Sequence, residues 1–249
     1  LYLLMTSLNF WIGGKQAVKA AALNPSRKII EIYATSENFD FINEIQNKVK
    51  KKIKVTTKDN KSINKVFKTD IVHQGVAAFV EKNKNLELDD FLKLQDKSKD
   101  STVVILDDLT DQRNIGSIIR SCVAFYVDAI FILKKNYSFN NENMNKTASG
   151  GVEHIDIIPV NNVCNLIEKL KKNNFWVTGL DLESHKDICK YKWDSKTAIV
   201  LGSEGLGMRK LVKEHCDELL KINTNPKIGS LNVSNALAAT LMLRSLQKQ

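Results

Sequence analysis

Two patterns of apolar and polar positions alternate along the chain and predict a protein built from both strands and helices. Short apolar runs rich in β-branched residues predict strands, as at Thr102–Leu109 (TVVILDDL), Asp128–Leu133 and Thr197–Gly202. Between such runs, apolar residues recur every three to four positions, as at Asn114–Tyr126 (NIGSIIRSCVAFY), which predicts amphipathic helices. Strands and helices in alternation predict an α/β fold with a parallel sheet.

The same patterns divide the chain into two domains. Residues 1–82 predict a small α/β domain. Its helices are predicted at 13–24 and 39–52, and its strands at 28–35, 53–58 and 73–80. Residues 83–100 are mostly charged and predict a linker, in which LELDDFLKL could form a short helix. Residues 101–249 predict the larger domain. Its later helices are predicted at 163–174, 206–216 and 234–246, and its later strands at 175–182, 197–202 and 218–223.

Composition adds a class of partner. The chain has 249 residues, of which 43% are hydrophobic, enough for one large core or two moderate ones. Lys and Arg number 37 against 28 Asp and Glu, which gives a formal net charge of +9. Such a positive charge favours a polyanionic partner such as nucleic acid.

Several other kinds of protein are disfavoured by what the sequence lacks. Its four cysteines form no CxxC pair and have no histidine at metal-ligand spacing, so we expect no metal site. No segment approaches the roughly 20 apolar residues of a membrane span. The apolar residues 1–14 lack the basic leader and cleavage site of a signal peptide. We therefore expect a cytoplasmic protein that binds no membrane, with an organelle matrix as the alternative location.

Three loops contain residues that could perform chemistry. The first is Asp107–Arg120 (DDLTDQRNIGSIIR), where a strand ends and a helix begins, the place where open parallel sheets bind ligands. Helical periodicity puts Ile115, Ile118 and Ile119 on one face and Arg120 roughly on the other. Taken by itself, Arg120 is more simply interpreted as a solvated helix residue.

The second loop, Leu201–Lys210 (LGSEGLGMRK), is a glycine-rich turn between a strand and a helix. Its glycines fit neither the dinucleotide fingerprint nor the phosphate-binding loop. Glycine allows close approach of the backbone to a ligand, whereas the carboxylate of Glu204 would repel the phosphates that most such loops bind. A tight turn with a solvated glutamate is the alternative interpretation.

The third loop opens the segment Gly229–Met242 (GSLNVSNALAATLM). Four polar residues, Ser230, Asn232, Ser234 and Asn235, precede an apolar helix that needs only one capping side chain. The surplus amides and hydroxyls could bind a nucleoside or a small zwitterion, because they offer both donors and acceptors without charge. Multiple caps and turns are the alternative.

Taken together, the three loops resemble a known family. NIGSIIRSCVAF, LGSEGLGMRKLVKEHCD and IGSLNVSNALAATL, in this order, are similar to the three motifs of the SpoU (TrmH-type) branch of the SPOUT methyltransferases. The resemblance covers about 150 residues from Ser101 onward. It implies an RNA ribose 2′-O-methyltransferase that uses S-adenosylmethionine and no metal, a trefoil knot near the carboxy terminus, and a homodimer whose active site lies close to the subunit interface.

The amino-terminal part points to a subgroup of that family. Residues 13–24 (GGKQAVKAAALN) and His73–Val80 resemble the small L30e-like domain that binds RNA in enzymes methylating a guanosine of large-subunit ribosomal RNA. KTASGGVEHI is also similar to that subgroup. The resemblance therefore implies ribosomal RNA as the substrate, and methylation of transfer RNA is the alternative. The basic stretch Lys48–Lys54 is a candidate surface for phosphate contacts, or else a solvated helix end.

The resemblance also implies roles for the first two motifs. Arg120 would be the catalytic group. Clamping of a phosphate and electrostatic activation of the 2′-hydroxyl suit a guanidinium better than general-base catalysis does. Asn114 would order the site and the substrate ribose, and Glu204 would anchor the neighbouring loop or Arg120.

The third motif would supply Ser230 and Asn232 near the substrate and the methyl donor. Capping of the last helix would then be left to Ser234 or Asn235. The donor would contact loop residues that we predict to be Leu201, Gly202, Ser203, Gly205, Gly207, Ile222, Leu231 and Asn232.

Three positions depart from the family pattern. Residues 223–227 read NTNPK where Pro-Met followed by Gly is usual, which alters part of the adenosine-binding loop. Tyr126 stands where glycine is usual, and Arg244 stands near the place of a common glutamate. A catalytically silent RNA-binding or ribosome-assembly factor is therefore an alternative. We predict an active enzyme, because the chain retains Asn114, Arg120, Glu204, Ser230 and Asn232.

Overall fold

The computed structural model describes residues 9–49, 52–84, 86–95 and 98–247. The chain forms two compact units, residues 1–84 with 138–154 and residues 85–137 with 155–249. In the described residues the strands are β1 (Asn9–Gly13), β2 (Ile29–Ala34), β3 (Val55–Thr57), β4 (Val76–Glu81), β5 (Ser101–Leu106), β6 (Ala129–Leu133), β7 (Asp156–Val160), β8 (Trp176–Leu180), β9 (Lys196–Leu201) and β10 (Glu218–Leu220).

The α-helices alternate with these strands along most of the chain. None of those in the described residues combines the length and the apolar character needed to cross a membrane. The helices are α1 (Lys15–Leu23), α2 (Phe39–Lys48), α3 (Asn60–Asn64), α4 (Leu88–Gln95), α5 (Gln112–Ala124), α6 (Glu142–Ala148), α7 (Val163–Lys172), α8 (Lys210–His215) and α9 (Val233–Leu246).

The first unit is built on a four-stranded mixed sheet in the order β1-β4-β2-β3. Strand β4 pairs antiparallel with β1 and β2, and β2 pairs in parallel with β3. Val18 and Ala21 of α1 and Ile45 of α2 pack into the same core as Ile32 and Val80 of the sheet. The hydrophobic pattern does not predict β1, because its partner β4 is distant in sequence and only the pairing reveals it.

Residues 138–154 pack with the first unit, although the predicted boundaries place them in the second domain. One tie between them is the ion pair of Arg27 with Glu153, whose side chains are only 7% and 1% exposed. Asn24 also donates a hydrogen bond to the Glu153 carboxylate at 2.8 Å. Two charges so deeply buried are stable only when paired, so removing either one would strongly destabilise this contact.

The second unit contains a six-stranded sheet in the order β10-β8-β9-β5-β6-β7, in which every pair is parallel. The α/β fold with a parallel sheet, predicted from the sequence, is therefore confirmed. The central strand β5 has all its residues buried, as expected for a strand covered on both faces. Because the strands are parallel, the loops that follow β5, β8, β9 and β10 all leave from the same edge of the sheet.

The segment predicted as a linker contributes to the core of the second unit. Helix α4 lies within it, and Phe91 and Leu92 of this helix are buried. The Phe91 ring packs edge to face on Phe131 of β6, with ring centroids 5.4 Å apart. Packing of its apolar residues therefore holds this helix in place. The many charged residues around it in the sequence lead instead to the prediction of a linker.

The carboxy-terminal end of α5 is closed by a residue in a left-handed conformation. Tyr126 has a φ of 55° and is 90% exposed. The Val127 amide donates to the Cys122 carbonyl at 2.9 Å and the Tyr126 amide to the Val123 carbonyl at 3.3 Å, which is the pattern of a Schellman motif. Glycine is favoured at this position because a Cβ is disfavoured there, so Tyr126 is strained.

We expect Tyr126→Gly to raise the free energy of unfolding by about 1 kcal/mol, since it removes this strain and loses little packing. Urea denaturation with an unchanged m-value would measure the gain. Asn174→Gly is the matched control, because Asn174 also follows a helix with a φ of 64° but asparagine tolerates this conformation. The strain at Tyr126 would be contradicted if Asn174→Gly raised the free energy of unfolding as much as Tyr126→Gly does, or if Tyr126→Gly lowered it.

Candidate active site

The loop after β9 is a narrow turn in which glycine is required at Gly202 and favoured at Gly205 and Gly207. Ser203 and Gly207 exchange backbone hydrogen bonds of 3.0 and 2.9 Å. Gly205 and Gly207 have φ values of 81° and 67°, in the left-handed region. A Cβ at Gly202 would lie 2.1 Å from backbone atoms of Gly207 and Met208, too close for any side chain. The turn therefore presents Glu204 at a defined place at the edge of the sheet.

Three polar residues from three loops are joined by hydrogen bonds. The side-chain amide of Asn114 on α5 donates to the carboxylate of Glu204. The amide of Asn232 donates to the Asn114 side-chain oxygen at 3.0 Å. The predicted residues Asn114, Glu204 and Asn232 are thus brought together, and each amide is held in a single orientation by its partners.

Asn232 is also the cap of α9. Its side-chain oxygen accepts the backbone N–H of Ser234 at 2.9 Å and the Ser234 hydroxyl at 2.6 Å. The expectation that Ser234 or Asn235 would cap the helix is therefore wrong, because Ser234 acts as a donor to the cap. One asparagine both starts the helix and holds the site, since its amide has a donor and an acceptor end.

A buried ion pair joins the loops that follow β5 and β9. The Asp107 carboxylate is fully buried and accepts hydrogen bonds from the backbone N–H and the Nε of Arg209, at 2.9 and 2.8 Å. The bond to Asp107 raises the pKa of the Arg209 guanidinium above its usual value. This pair fixes the end of the glycine turn to the central strand.

A cavity of about 380 Å³ lies between the loops that follow β8, β9 and β10. This size falls in the range of small-molecule sites, about 300–1,000 Å³. Its walls combine aliphatic side chains with glycine backbone and a few polar groups, as such sites usually do. The residues predicted to bind the donor all line it: Leu201, Gly202, Ser203, Gly205, Gly207, Ile222, Leu231 and Asn232. Glu204 and Ser230 line it as well.

Sequence reasoning missed part of the cavity wall. The most informative omission is Asp181, the first residue after β8, since a polar residue at the carboxyl end of a parallel strand is a recognisable signal. Thr224 belongs to the atypical loop 223–227 and also lines the cavity. The other missed lining residues are apolar and carry no such signal: Leu180, Leu182, Leu220, Val233 and Ala236.

Arg120 lies apart from the joined polar residues. It is exposed on α5 and does not line the cavity. Among the described residues it has no hydrogen-bond or ion-pair partner, and Glu204 bonds to Asn114 instead. The structure of one chain therefore brings together Asn114, Glu204 and Asn232 but leaves Arg120 free to contact another molecule.

Arg244, which departs from the family pattern, lies outside the cavity. Its guanidinium is buried and donates to the backbone carbonyls of Asp194 and Ser195 at 3.0 and 2.9 Å. Burial lowers the pKa of this guanidinium. Arg244 thus ties α9 to the segment that precedes β9, and it does so away from the site.

The fold is shared with solved methyltransferases. The SpoU methyltransferase AviRb from Streptomyces viridochromogenes, solved with AdoMet, aligns with a TM-score of 0.80 at 17% identity over 96% of this chain and 90% of that chain. An AdoMet-bound rRNA methyltransferase from Sinorhizobium meliloti aligns with a TM-score of 0.77 at 19% identity, over 97% of this chain and 88% of that chain. These similarities show that the chain shares the α/β fold of the two solved proteins.

Sequence similarity is more specific. The SpoU rRNA Methylase family model matches residues 101–242, and the model named RNA 2′-O ribose methyltransferase substrate binding matches residues 11–86. A Staphylococcus aureus protein named for the TrmH family of tRNA/rRNA methyltransferases is 38% identical over 238 residues, 93% of each chain. The chain therefore belongs to the SpoU (TrmH-type) family of RNA methyltransferases, as the motifs predict.

We expect Gly202→Ala to weaken ligand binding in the cavity by more than tenfold, because the added Cβ cannot fit against Gly207 and Met208 without opening the turn. Gly205→Ala is the matched control: its Cβ meets nothing within 4 Å, and only its φ is strained. Calorimetric titration with S-adenosylhomocysteine would measure both. Equal effects of the two substitutions would contradict the steric account.

Proposed function

We propose that this protein transfers a methyl group from S-adenosylmethionine to a ribose 2′-hydroxyl, in a guanosine of large-subunit ribosomal RNA. The observation that carries the proposal is the cavity: the second and third motif loops line it, and Asn114 of the first motif is hydrogen-bonded to two of its lining residues, Glu204 and Asn232. The match of the front part to an RNA 2′-O ribose methyltransferase substrate-binding model supports the ribose 2′-hydroxyl as the acceptor.

The cavity suits the proposed donor. Its volume is that of a site for a molecule of this size, and its aliphatic walls suit the faces of an adenine ring. The glycine turn exposes backbone groups that can approach the ligand closely. When bound, S-adenosylmethionine supplies an electrophilic methyl group on a sulfonium. Residues Leu201, Gly202, Ser203, Gly205, Gly207, Ile222, Leu231 and Asn232 would hold it.

The residues of the chain would orient the acceptor ribose and activate its hydroxyl. Asn114 and Asn232 are fixed by each other and by Glu204. Their unused hydrogen-bonding groups can therefore bind a ribose without a change of side-chain conformation. The guanidinium of Arg120 would clamp an RNA phosphate and stabilise the developing alkoxide, leaving direct proton abstraction to another group.

We further propose that the protein acts as a homodimer. Arg120 is exposed and unpartnered among the described residues, yet the family resemblance gives it a role at the reacting atoms. A second copy that brings its own Arg120 to this cavity would reconcile the two observations. The resemblance also leads us to expect a trefoil knot in the carboxy-terminal segment.

We propose ribosomal RNA, in preference to transfer RNA, as the substrate. The family that matches the second unit is named for rRNA methylases, and the front unit matches a substrate-binding model. The net charge of +9 suits a long polyanion. Part of the basic stretch 48–54 lies outside the described residues; Lys48 and Lys54 are paired with Glu44 and Glu31. Relatives are named for both tRNA and rRNA, so transfer RNA is the second candidate.

We expect methyl transfer from labelled S-adenosylmethionine to unmethylated large-subunit ribosomal RNA. Digestion to nucleosides should release the label as 2′-O-methylguanosine, because the proposed acceptor is a ribose hydroxyl. Transfer RNA treated in parallel is the control. Label in transfer RNA alone would contradict the ribosomal target, and donor binding without any transfer would favour the silent RNA-binding factor.

We expect Arg120→Ala to lower kcat by at least tenfold, a loss of about 1.4 kcal/mol or more in transition-state stabilisation, with the fold intact. Arg113→Ala is the matched control, because Arg113 is also exposed and lies two turns earlier on the same face of α5. Steady-state kinetics and thermal denaturation would measure both. If Arg120→Ala kept more than about a tenth of the wild-type kcat, the proposed catalytic role of Arg120 would be wrong.

A further inference from the structure

Asp181 is a cavity residue to which the motifs give no role. It follows β8 directly, and its backbone N–H donates to the Leu220 carbonyl at 2.9 Å, which fixes its position beside β10. Its side chain is 11% exposed and forms an ion pair with Lys213 of α8, with Oδ2 and Nζ 2.7 Å apart. Asp181 lines the cavity, and its carboxylate is held by Lys213 of α8.

The surroundings of Asp181 restrict the ligand group that it can bind. Of the residues lining the cavity, Asp181 and Glu204 carry charge, and Glu204 already accepts a hydrogen bond from Asn114. The hydrogen bond to Asp181 raises the pKa of Lys213 above its usual value, and the Lys213 ammonium lies 2.7 Å from the Asp181 carboxylate and 3.6 Å from that of Glu183. Asp181 already has a cationic partner in Lys213, and neutral ligand hydroxyls can donate to the free lone pairs of its carboxylate.

We propose that Asp181 binds the ribose hydroxyls of the methyl donor and that Lys213 is its positioning residue. The inference rests on the proposed donor. A vicinal diol offers two adjacent O–H donors, which match the two oxygens of one carboxylate. Of those oxygens, Oδ1 accepts the backbone N–H of Glu183 at 3.2 Å and Oδ2 accepts Lys213, so each has a lone pair left.

The geometry also separates the polar tasks within the cavity. Glu204 is joined to Asn114 and Asn232, the residues assigned to the acceptor ribose. Asp181 emerges from a different strand, β8, between the apolar residues Leu180 and Leu182. One carboxylate would then serve the donor and the other the acceptor.

The test compares two ligands by calorimetric titration of the full chain: S-adenosylhomocysteine and its 2′,3′-dideoxy analogue. The wild-type protein should bind the parent compound about tenfold more tightly, the worth of a hydrogen bond to a charged group. Asp181→Ala should bring the two affinities close together, because the hydroxyls lose their acceptor. Asp181→Asn, which keeps one acceptor oxygen, should retain part of the preference.

Lys213→Met tests the positioning role, and it should reduce the preference for the hydroxyls. Lys171→Met is its matched control, because Lys171 forms a similar ion pair with Asp217 outside the cavity, with 2.7 Å between the charged atoms. If folded Asp181→Ala kept the preference for S-adenosylhomocysteine over the dideoxy analogue, or if the wild type showed no such preference, the inference about Asp181 would be overturned while the proposed donor would stand. Failure of the wild type to bind S-adenosylhomocysteine at all would contradict the proposed donor itself.

Discussion

Six parallel strands end at one edge of the sheet, and the site exists because of that edge. Loops that are far apart in sequence, after β5, β8, β9 and β10, must all begin there, so their polar side chains converge without any further device. The Asp107–Arg209 pair then fixes two of these loops to each other, and the hydrogen bonds among Asn114, Glu204 and Asn232 fix three. The loops after β8, β9 and β10 line a cavity with aliphatic walls and few polar groups, which is the form expected for binding a small molecule.

The sequence predicts this second unit well, because its signals are local. Apolar runs indicate the buried strands, glycine spacing marks the tight turn, and an excess of amides and hydroxyls marks the loop before α9. It predicts less where the decisive contact is distant. Strand β1 is defined only by pairing with β4, and residues 138–154 join the first unit through the buried pair of Arg27 with Glu153. Asp181 has a local signal, because it is a polar residue at the carboxyl end of a predicted strand, but periodicity does not show that this strand lies between β9 and β10.

The departures from the family pattern have different physical meanings. Tyr126 occupies a left-handed position at the end of α5, so it is a cost in stability at the surface. Arg244 is buried and bonds to backbone carbonyls, so it supports the packing of α9. Only the loop 223–227 reaches the cavity, through Thr224. Two of the three departures therefore leave the site unchanged, which is consistent with an active enzyme.

Asn232 limits how this protein can vary. An aspartate at this position would still cap α9, but it would offer no donor to Asn114 and would add a second negative charge near Glu204. A serine would keep the cap but is too short to span the same distance. Only an amide of this length meets both demands. A substitution at Asn232 therefore changes the stability of the helix, the geometry of the site, or both. Mutational tolerance should thus be lower at this one exposed position than at the buried residues of the helix behind it.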